Sequence, residues 1–202
     1  MDYTNYTEFE TAKVLCRACP IGNIYDCVVP SFGKKDKPRV VFIGECPGEN
    51  ELVQREPFCG RSGKVLRQVM NLVGFRPHNT LITNTMPCRP LNNQYPKEIK
   101  IVEDCMERWL LPELRLTDPD FIVLVGSKAL TGLLGVNGIS KYRGQWLKLP
   151  SLFRPWHREV RVMATFHPSY LLRLQNAGNK EAMTNFENDL RTVAIAAGFV
   201  SA

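Results

Sequence analysis

Four short apolar runs, each leading into a loop, most constrain the fold of this 202-residue chain. They are Val40–Gly44, Leu81–Met86, Phe121–Gly126 and Val160–Thr165. The first reads Val-Val-Phe-Ile before its glycine, and such runs of β-branched and aromatic residues are typical of short buried strands. Segments with helical periodicity lie between the runs, so we expect the strands to be parallel.

Apolar residues at steps of three and four predict the helices. The helical segments cover residues 1–15, 65–73, 96–115, 127–135 and 180–197, and a polar loop covers 137–158. This alternation predicts an α/β fold, a three-layer α/β/α sandwich around a mostly parallel four-stranded sheet, as one domain over residues 1–202. In such sheets, ligands bind at the carboxyl ends of the strands, where we expect Glu45, Asn84 and His167 to meet.

Charge and hydropathy limit the classes of function. Lys and Arg number 26 against 20 Asp and Glu, and the net charge of +6 favours a polyanionic partner without requiring one. The chain has no apolar run of membrane-spanning length, and its first fifteen residues carry Asp2, Glu8 and Glu10 instead of a basic start and an apolar block. We therefore expect a soluble, cytoplasmic protein, with a monomer as the default.

The loop Gly44-Glu45-Cys46-Pro47-Gly48 follows the first strand. Its two glycines allow the backbone to come close to a ligand, although an ordinary turn would have the same composition. The loop lacks both the three-glycine dinucleotide fingerprint and the Gly-Lys-Ser/Thr ending of a nucleotide-triphosphate loop. We therefore expect it to bind a different kind of ligand.

The cysteines indicate a metal site or buried thiols. There are seven, an odd number, and disulfides are rare in cytosolic proteins. Cys16 and Cys19 form a C-x2-C pair, and Cys88 and Cys105 are 17 positions apart, so four thiolates can converge if the two halves fold together. From the spacing alone, zinc and an iron–sulfur cluster are both compatible with this set. The remaining three are Cys27, Cys46 and Cys59.

An ordered set of motifs extends from Cys16 to Arg173. It comprises Gly44-Glu45-Cys46-Pro47-Gly48, Pro57-Phe58, Thr83-Asn84, Cys88-Arg89-Pro90 and His167-Pro168-Ser169-Tyr170-Leu171-Leu172-Arg173, together with the four cysteines. In this order the set resembles the family-four uracil-DNA glycosylases, which carry an iron–sulfur cluster. Each motif alone is weak evidence, whereas the ordered set is specific.

The resemblance implies a role for five side chains around a flipped uracil. Phe58 would stack on the base, Asn84 would hydrogen-bond its edge, and His167 would reach its other side. The Glu45 carboxylate would hold or polarise the attacking water, and Glu51 would crowd the position where thymine carries its methyl group. The backbones of the loop glycines, Gly44 and Gly48, would lie against the site.

The resemblance also implies a cofactor and a DNA-binding segment. Cys16, Cys19, Cys88 and Cys105 would ligate a [4Fe–4S] cluster, which makes zinc the less favoured alternative. Leu171, Leu172 and Arg173 would enter the duplex and fill the gap left by the flipped nucleotide. The implied partner is uracil-containing DNA.

The chemistry supports these residue types. Cleavage of an N-glycosidic bond produces an oxocarbenium-like sugar and a uracil anion, so the site needs a hydrogen-bond donor at the base oxygen and a carboxylate near the sugar. A neutral imidazole and a carboxylate supply them, and an Asn amide matches the donor and acceptor of the uracil edge. The matched motifs contain no lysine that could form a Schiff base, which predicts a monofunctional glycosylase.

Two residues depart from the family pattern, and two alternatives remain. Cys46 stands where many glycosylases of the wider superfamily have Asp, and Leu52 stands where the family often continues acidic. A neutral thiol is no base, so water activation falls to Glu45 or the backbone. One alternative is a module that binds uracil or damaged DNA without turnover. The other is a cluster protein that responds to redox state.

Overall fold

The computed structural model describes residues 3–24, 26–149, 159–176 and 180–201. Within these ranges one six-stranded sheet forms, in the order β1-β3-β2-β4-β6-β5. Its strands are β1 Phe32–Gly33, β2 Val40–Gly44, β3 Thr80–Asn84, β4 Phe121–Val125, β5 Trp146–Leu147 and β6 Arg161–Thr165. The four predicted strands are its parallel centre, with Gly44 opposite Asn84 in the β2–β3 register.

The expectation of four strands is wrong in number. β1 pairs antiparallel with β3, and β5 pairs antiparallel with β6, so each closes one edge of the parallel centre. Each edge strand has two residues, which is too short to produce the alternating pattern by which strands are found in a sequence. The mostly parallel sheet itself is confirmed.

Ten α-helical segments surround the sheet in the described part of the chain. They are α1 Tyr6–Val14, α2 Pro20–Ile24, α3 Glu49–Gln54, α4 Arg61–Leu72, α5 Ile99–Cys105, α6 Leu111–Thr117, α7 Ser127–Leu134, α8 Ile139–Tyr142, α9 Pro168–Asn176 and α10 Glu181–Ala196. A π-helical turn, Met106–Leu110, joins α5 to α6, and a 3₁₀ turn covers Leu91–Asn93. No helix among the described residues has both the length and the apolar character to cross a bilayer.

The helices that were not predicted are short or start inside a motif. α3 begins directly after Gly48 and has no buried residue, so it shows no apolar stripe. α9 begins at Pro168, within the motif from His167 to Arg173 whose last three residues are the predicted DNA-binding segment. The predicted loop 137–158 contains α8 and β5, and its residues 150–158 lie outside the described residues.

The sheet is covered on both faces, which confirms the three-layer arrangement. Val40 and Phe42 of β2 face one core, whose helical part comes from α4 and α10 and includes Leu66, Val69, Phe186, Leu190 and Val193. Val41 and Ile43 face the other core, supplied by α5, the π turn, α6 and α7 and including Val102, Leu110, Leu114, Leu130 and Leu133. Alternating residues of one strand thus contribute to two separate layers.

A buried polar network anchors α1 beside the end of β3. Lys13 and Glu113 form an ion pair of 3.0 Å, with the two residues 2% and 0% exposed. Ser31 accepts from Lys13 and donates to Thr83, which in turn donates to Glu113. Burial alone would raise the pKa of Glu113, but Lys13 and the hydrogen bonds hold it below its ordinary value. Thr83 directly precedes Asn84, so the network supports the strand end that carries the site.

Candidate active site

The carboxyl ends of the parallel strands surround a cavity of about 400 Å³. Of the residues expected to meet there, Glu45 follows β2, Asn84 ends β3 and His167 follows β6. The cavity lining is Glu45, Cys46, Pro47, Gly48, Glu51, Phe58, Ser62, Asn84, Asn93, His167 and Ser169. The structure therefore brings together all five side chains that the resemblance placed around uracil.

Gly44 allows the aromatic and amide side chains to approach each other. A Cβ atom at this position would lie 2.4 Å from Oδ1 of Asn84 and 2.5 Å from Cζ of Phe58. Real Cβ atoms do not come this close to a neighbour, so the site requires glycine here. The Phe58 ring and the Asn84 amide thus occupy the space that any side chain at position 44 would take.

The Phe58 loop has an unusual backbone. Phe58 has φ of +53°, in the left-handed region that residues other than glycine rarely adopt. Gly63 passes directly beneath it, where a Cβ would lie 2.2 Å from the Phe58 carbonyl carbon and oxygen. This backbone turns the Phe58 ring towards the cavity and 6.0 Å, centroid to centroid, from the ring of His167.

Glu51 bridges the two loops that flank the cavity. Its Oε2 accepts from the backbone N–H of Gly48 at 3.2 Å, and its Oε1 accepts from that of Gly60 at 2.8 Å. The carboxylate therefore holds the loop after β2 against the loop of Phe58. Both oxygens have protein partners, which adds a positioning role to the steric role that the resemblance implied.

His167 is held as a neutral donor. Its Nδ1 lies 3.2 Å from the backbone N–H of Ser169, which can only donate, and 2.8 Å from the Ser169 hydroxyl. The ring proton is therefore on Nε2. Burial, followed by the charge of Arg173, lowers the pKa of His167 to about 4, although Glu51 opposes this shift. The imidazole is uncharged at neutral pH.

Glu45 is fixed through its backbone. Its carbonyl oxygen accepts from the Thr85 hydroxyl at 2.6 Å and from the backbone N–H of Met86 at 3.2 Å, which joins the ends of β2 and β3. Burial raises the pKa of the Glu45 carboxyl, and the charge of Lys128 partly offsets this rise. The pKa of the Glu45 carboxyl thus lies above its ordinary value despite the opposing charge of Lys128.

The neighbouring Cys46 carries a neutral thiol. Burial and the charges of Glu45 and Glu51 raise its pKa well above the ordinary value. A thiol in this state supplies no base at neutral pH. This agrees with the inference that water activation falls to Glu45 or the backbone.

The motif after His167 divides between core and surface. Leu171 is 1% exposed and packs in the core formed with α4 and α10, so the expectation that it enters the duplex is corrected. Leu172 is half-buried and Arg173 is exposed. The reason is helical geometry, because α9 turns Leu171 inwards while its neighbours face outwards.

The four cysteines occupy one corner of the molecule. Trp109, which lies one helical turn beyond Cys105, donates from Nε1 to Cys16 Sγ at 3.3 Å. Cys16 also packs against the small core of Cys27, Val28 and Cys88. Burial, then the neighbouring Cys19 and Cys16, raises the pKa of Cys105 to about 12.

The spacing of these sulfurs bears on what they could hold. In the described ranges, no group of three or more Cys, His, Asp or Glu side chains is arranged to hold a metal ion. A single tetrahedral zinc would require its four thiolates within about 4 Å of one another. An iron–sulfur cluster binds each cysteine to a different iron, so its ligands stand further apart. Four cysteine thiolates are the usual donor set of such a cluster, so the residues present fit it by their chemistry.

Comparison with known proteins identifies the family. The family model described as the uracil DNA glycosylase superfamily matches residues 30–191. The chain belongs to this superfamily. A type-4 uracil-DNA glycosylase of Thermotoga maritima is 34% identical, over 94% of this chain and 92% of its own. Type-4 uracil-DNA glycosylases of Archaeoglobus fulgidus and Saccharolobus solfataricus are 32% and 30% identical, each over 78% of this chain and over 78% and 72% of their own.

These relatives confirm the resemblance to family four that the motifs indicated. Three residues with a hydroxyl or amide side chain also line the cavity but were not predicted to do so, namely Ser62, Asn93 and Ser169. Ser169 could have been found, because it lies two residues after the candidate histidine within one motif. Ser62 and Asn93 lie in segments rich in Gly, Pro and Asn, where a polar residue is expected in any turn.

Proposed function

We propose that this chain is a monofunctional DNA glycosylase that hydrolyses the N-glycosidic bond of uracil in DNA and leaves an abasic site. The observation that carries the proposal is the convergence of the Asn84 amide and the neutral His167 imidazole on one cavity beside the Phe58 ring. An enzyme of this kind needs base recognition and a donor for the departing base, and both are present in this cavity.

Asn84 and Phe58 account for recognition of the base. The amide carbonyl of Asn84 accepts from uracil N3–H, and its NH2 donates to O4. Cytosine presents the reverse pattern on this edge, which would leave buried polar groups unpaired, and such sites discriminate by factors of ~10⁴ or more. The Phe58 ring stacks on the base, and Glu51 stands where the methyl group of thymine would be.

His167 and Glu45 account for the cleavage. As the C1′–N1 bond breaks, its electron pair moves into the base, and His167 donates from Nε2 to the O2 oxygen, where negative charge develops. The Glu45 carboxylate stabilises the positive sugar and orients a water, whose oxygen bonds to C1′. The water gives its proton to Glu45 or solvent, and the uracil anion later takes one from solvent.

We further propose that Cys16, Cys19, Cys88 and Cys105 bind a [4Fe–4S] cluster. The convergence of their thiols, described above, supports this assignment. Bound there, the cluster would order the loops that carry its ligands and would supply no chemistry to the hydrolysis. The Cys88 segment pairs with the Cys27 segment through backbone hydrogen bonds, from Val29 to Pro87 and from Arg89 to Cys27. The cofactor would hold this pairing against α1 and α5.

The DNA would bind across the mouth of the cavity. Leu172 and Arg173 face outwards on α9, directly after His167, and are placed to fill the gap left by a flipped nucleotide. The net charge of +6 favours the phosphate backbone. Every residue assigned to the site comes from one chain, so a monomer would suffice.

A labelled oligonucleotide with one uracil tests the proposal. After incubation and alkali treatment, we expect strand cleavage at uracil and none at thymine or cytosine. His167→Ala should abolish base release while DNA binding is retained, and His78→Ala, at an exposed histidine, is the matched control. Intact DNA after incubation with folded, DNA-binding wild-type protein would instead establish the binding module. Cleavage without alkali would contradict monofunctional chemistry.

A further inference from the structure

Arg67, on α4, holds the backbone of the Phe58 loop. Its Nε donates to the Phe58 carbonyl oxygen at 2.9 Å, and its Nη2 donates to the Pro57 carbonyl oxygen at 2.6 Å. The same Nη2 forms an ion pair with Glu56 at 2.7 Å. One guanidinium thus binds three consecutive residues of the loop that presents the aromatic ring.

The conformation of this loop requires such support. The backbone of Phe58 has a left-handed conformation, and a residue other than glycine keeps this conformation only where the surrounding structure holds it there. Gly63 leaves room for the carbonyl group of Phe58, but glycine makes no directional contact of its own. The two hydrogen bonds from Arg67 are directional, and they fix the carbonyl groups of the two peptides that flank the Phe58 Cα.

Arg67 is itself held in place. Its guanidinium lies 4.5 Å from the centroid of the Phe32 ring, which β1 brings to the edge of the sheet. Burial lowers the pKa of Arg67, and Glu56 opposes this change, so the charge stays paired. Only arginine offers a planar fork that can address two carbonyl oxygens and an aromatic face at once.

We infer that Arg67 is a positioning residue for base stacking, an inference that rests on the proposed function. Arg67 does not line the cavity, but its hydrogen bonds to the loop keep the Phe58 ring against Gly44 and at the cavity. Its loss would let the ring leave the place where the base stacks. A misplacement of about 1 Å is enough to reduce the rate by about 100-fold.

The test compares Arg67→Gln and Arg67→Lys with the matched control Arg76→Gln. Arg76 lines the same small cavity beside Phe32, but its hydrogen bonds go to the carbonyl oxygens of Asn71 and Phe75. Three quantities are measured on each cluster-containing protein: kcat and KM on uracil-containing DNA, inhibition by free uracil, and the rate of alkylation of Cys59. The last, read by mass spectrometry, reports loop order without depending on activity, because Cys59 follows Phe58 directly.

We expect Arg67→Gln to reduce kcat by about 10- to 100-fold, with weaker inhibition by free uracil and an unchanged affinity for DNA. Alkylation of Cys59 should become about tenfold faster, since the loop opens more often. Arg67→Lys should show a smaller loss of kcat and a smaller increase in Cys59 alkylation than Arg67→Gln. Arg76→Gln should match wild type.

Two results would overturn the inference. One is Arg67→Gln with wild-type kcat and wild-type Cys59 alkylation. The other is equal loss of both in Arg67→Gln and Arg76→Gln, which would indicate general destabilisation. If wild-type protein releases no uracil, the proposed function fails, and the Cys59 rates still decide whether Arg67 holds the loop.

Discussion

The backbone N–H of Ser169 donates to Nδ1 of His167 at 3.2 Å, and this contact decides which ring nitrogen carries the proton. A main-chain amide cannot accept, so Nδ1 has to be the acceptor and Nε2 the donor. The geometry selects one tautomer before any substrate arrives. In the proposed mechanism, this donor would be preorganised to stabilise charge on the departing base.

The first prediction concerns protonation of His167. Its NMR ring signals, identified by their loss in His167→Gln, should titrate with a midpoint near 4 because burial disfavours the charged ring. The pKa is depressed in the folded state, so the unfolded chain takes up this proton first, and stability should fall as the pH falls from 6.5 to about 4. A midpoint at the ordinary value would contradict a buried neutral donor.

The acid limb of the pH–rate profile should belong to Glu45. Burial raises its pKa above 4.5, whereas His167 stays neutral down to about 4, so kcat should fall first as Glu45 is protonated. Lys128→Met removes a charge that lowers the Glu45 pKa and should therefore move the midpoint to higher pH. A limb that persists in the residual activity of Glu45→Gln would have to be assigned to another group.

Gly44→Ala should inactivate the site without unfolding the protein. The added methyl would collide with Asn84 and Phe58, and we expect a loss of about 100-fold or more in kcat/KM with a normal circular dichroism spectrum. Gly132→Ala is the control, since its Cβ would meet the flexible end of Met106, with Sδ at 3.1 Å, and the Thr85 methyl at an ordinary contact distance of 3.6 Å. Wild-type kinetics in Gly44→Ala would mean that the ring and the amide are not fixed against this glycine.

Breaking the buried ion pair should be costly. Lys13→Met leaves the charge of Glu113 buried and unpaired, which should lower the free energy of unfolding by about 3–5 kcal/mol in urea titrations. Lys100→Met is the control, because its ion pair with Asp104 is exposed, and it should leave stability unchanged. If the two substitutions changed the free energy of unfolding equally, burial of the Lys13 pair would not make its loss more costly than the loss of an exposed pair.

Loss of a cluster ligand should reduce yield and iron together. Cys88→Ser should lower folded protein, iron and acid-labile sulfide in parallel, because the cofactor would hold the Cys88 loop in place. Cys59→Ser, which changes a cysteine outside the proposed set, should retain the iron of wild type. Normal folded yield without iron would refute the structural role, and normal iron in Cys88→Ser would remove Cys88 from the ligand set.

Part of this molecule could be predicted from sequence because its signals are local. The parallel strands are short β-branched runs, and the rule that ligands bind at the carboxyl ends of parallel strands predicts that Glu45, Asn84 and His167 share one site. β1 could not be found, since two residues carry no pattern. Nor could the burial of Leu171, which depends on how α9 packs against the core. The hydrogen bonds from Arg67 to backbone carbonyl groups could not be predicted either, because any residue type supplies a backbone carbonyl.

The buried contact between Lys13 and Glu113 joins residues 100 positions apart. During synthesis α1 emerges long before α6, the helix whose Glu113 neutralises its lysine, so this contact cannot form until β1, β2 and β3 have been made. Contacts of such long range slow folding, because the loop between them must close before they contribute. The segment that carries Cys16 would therefore settle only after α6 has been made, which leaves its thiols accessible to iron until then.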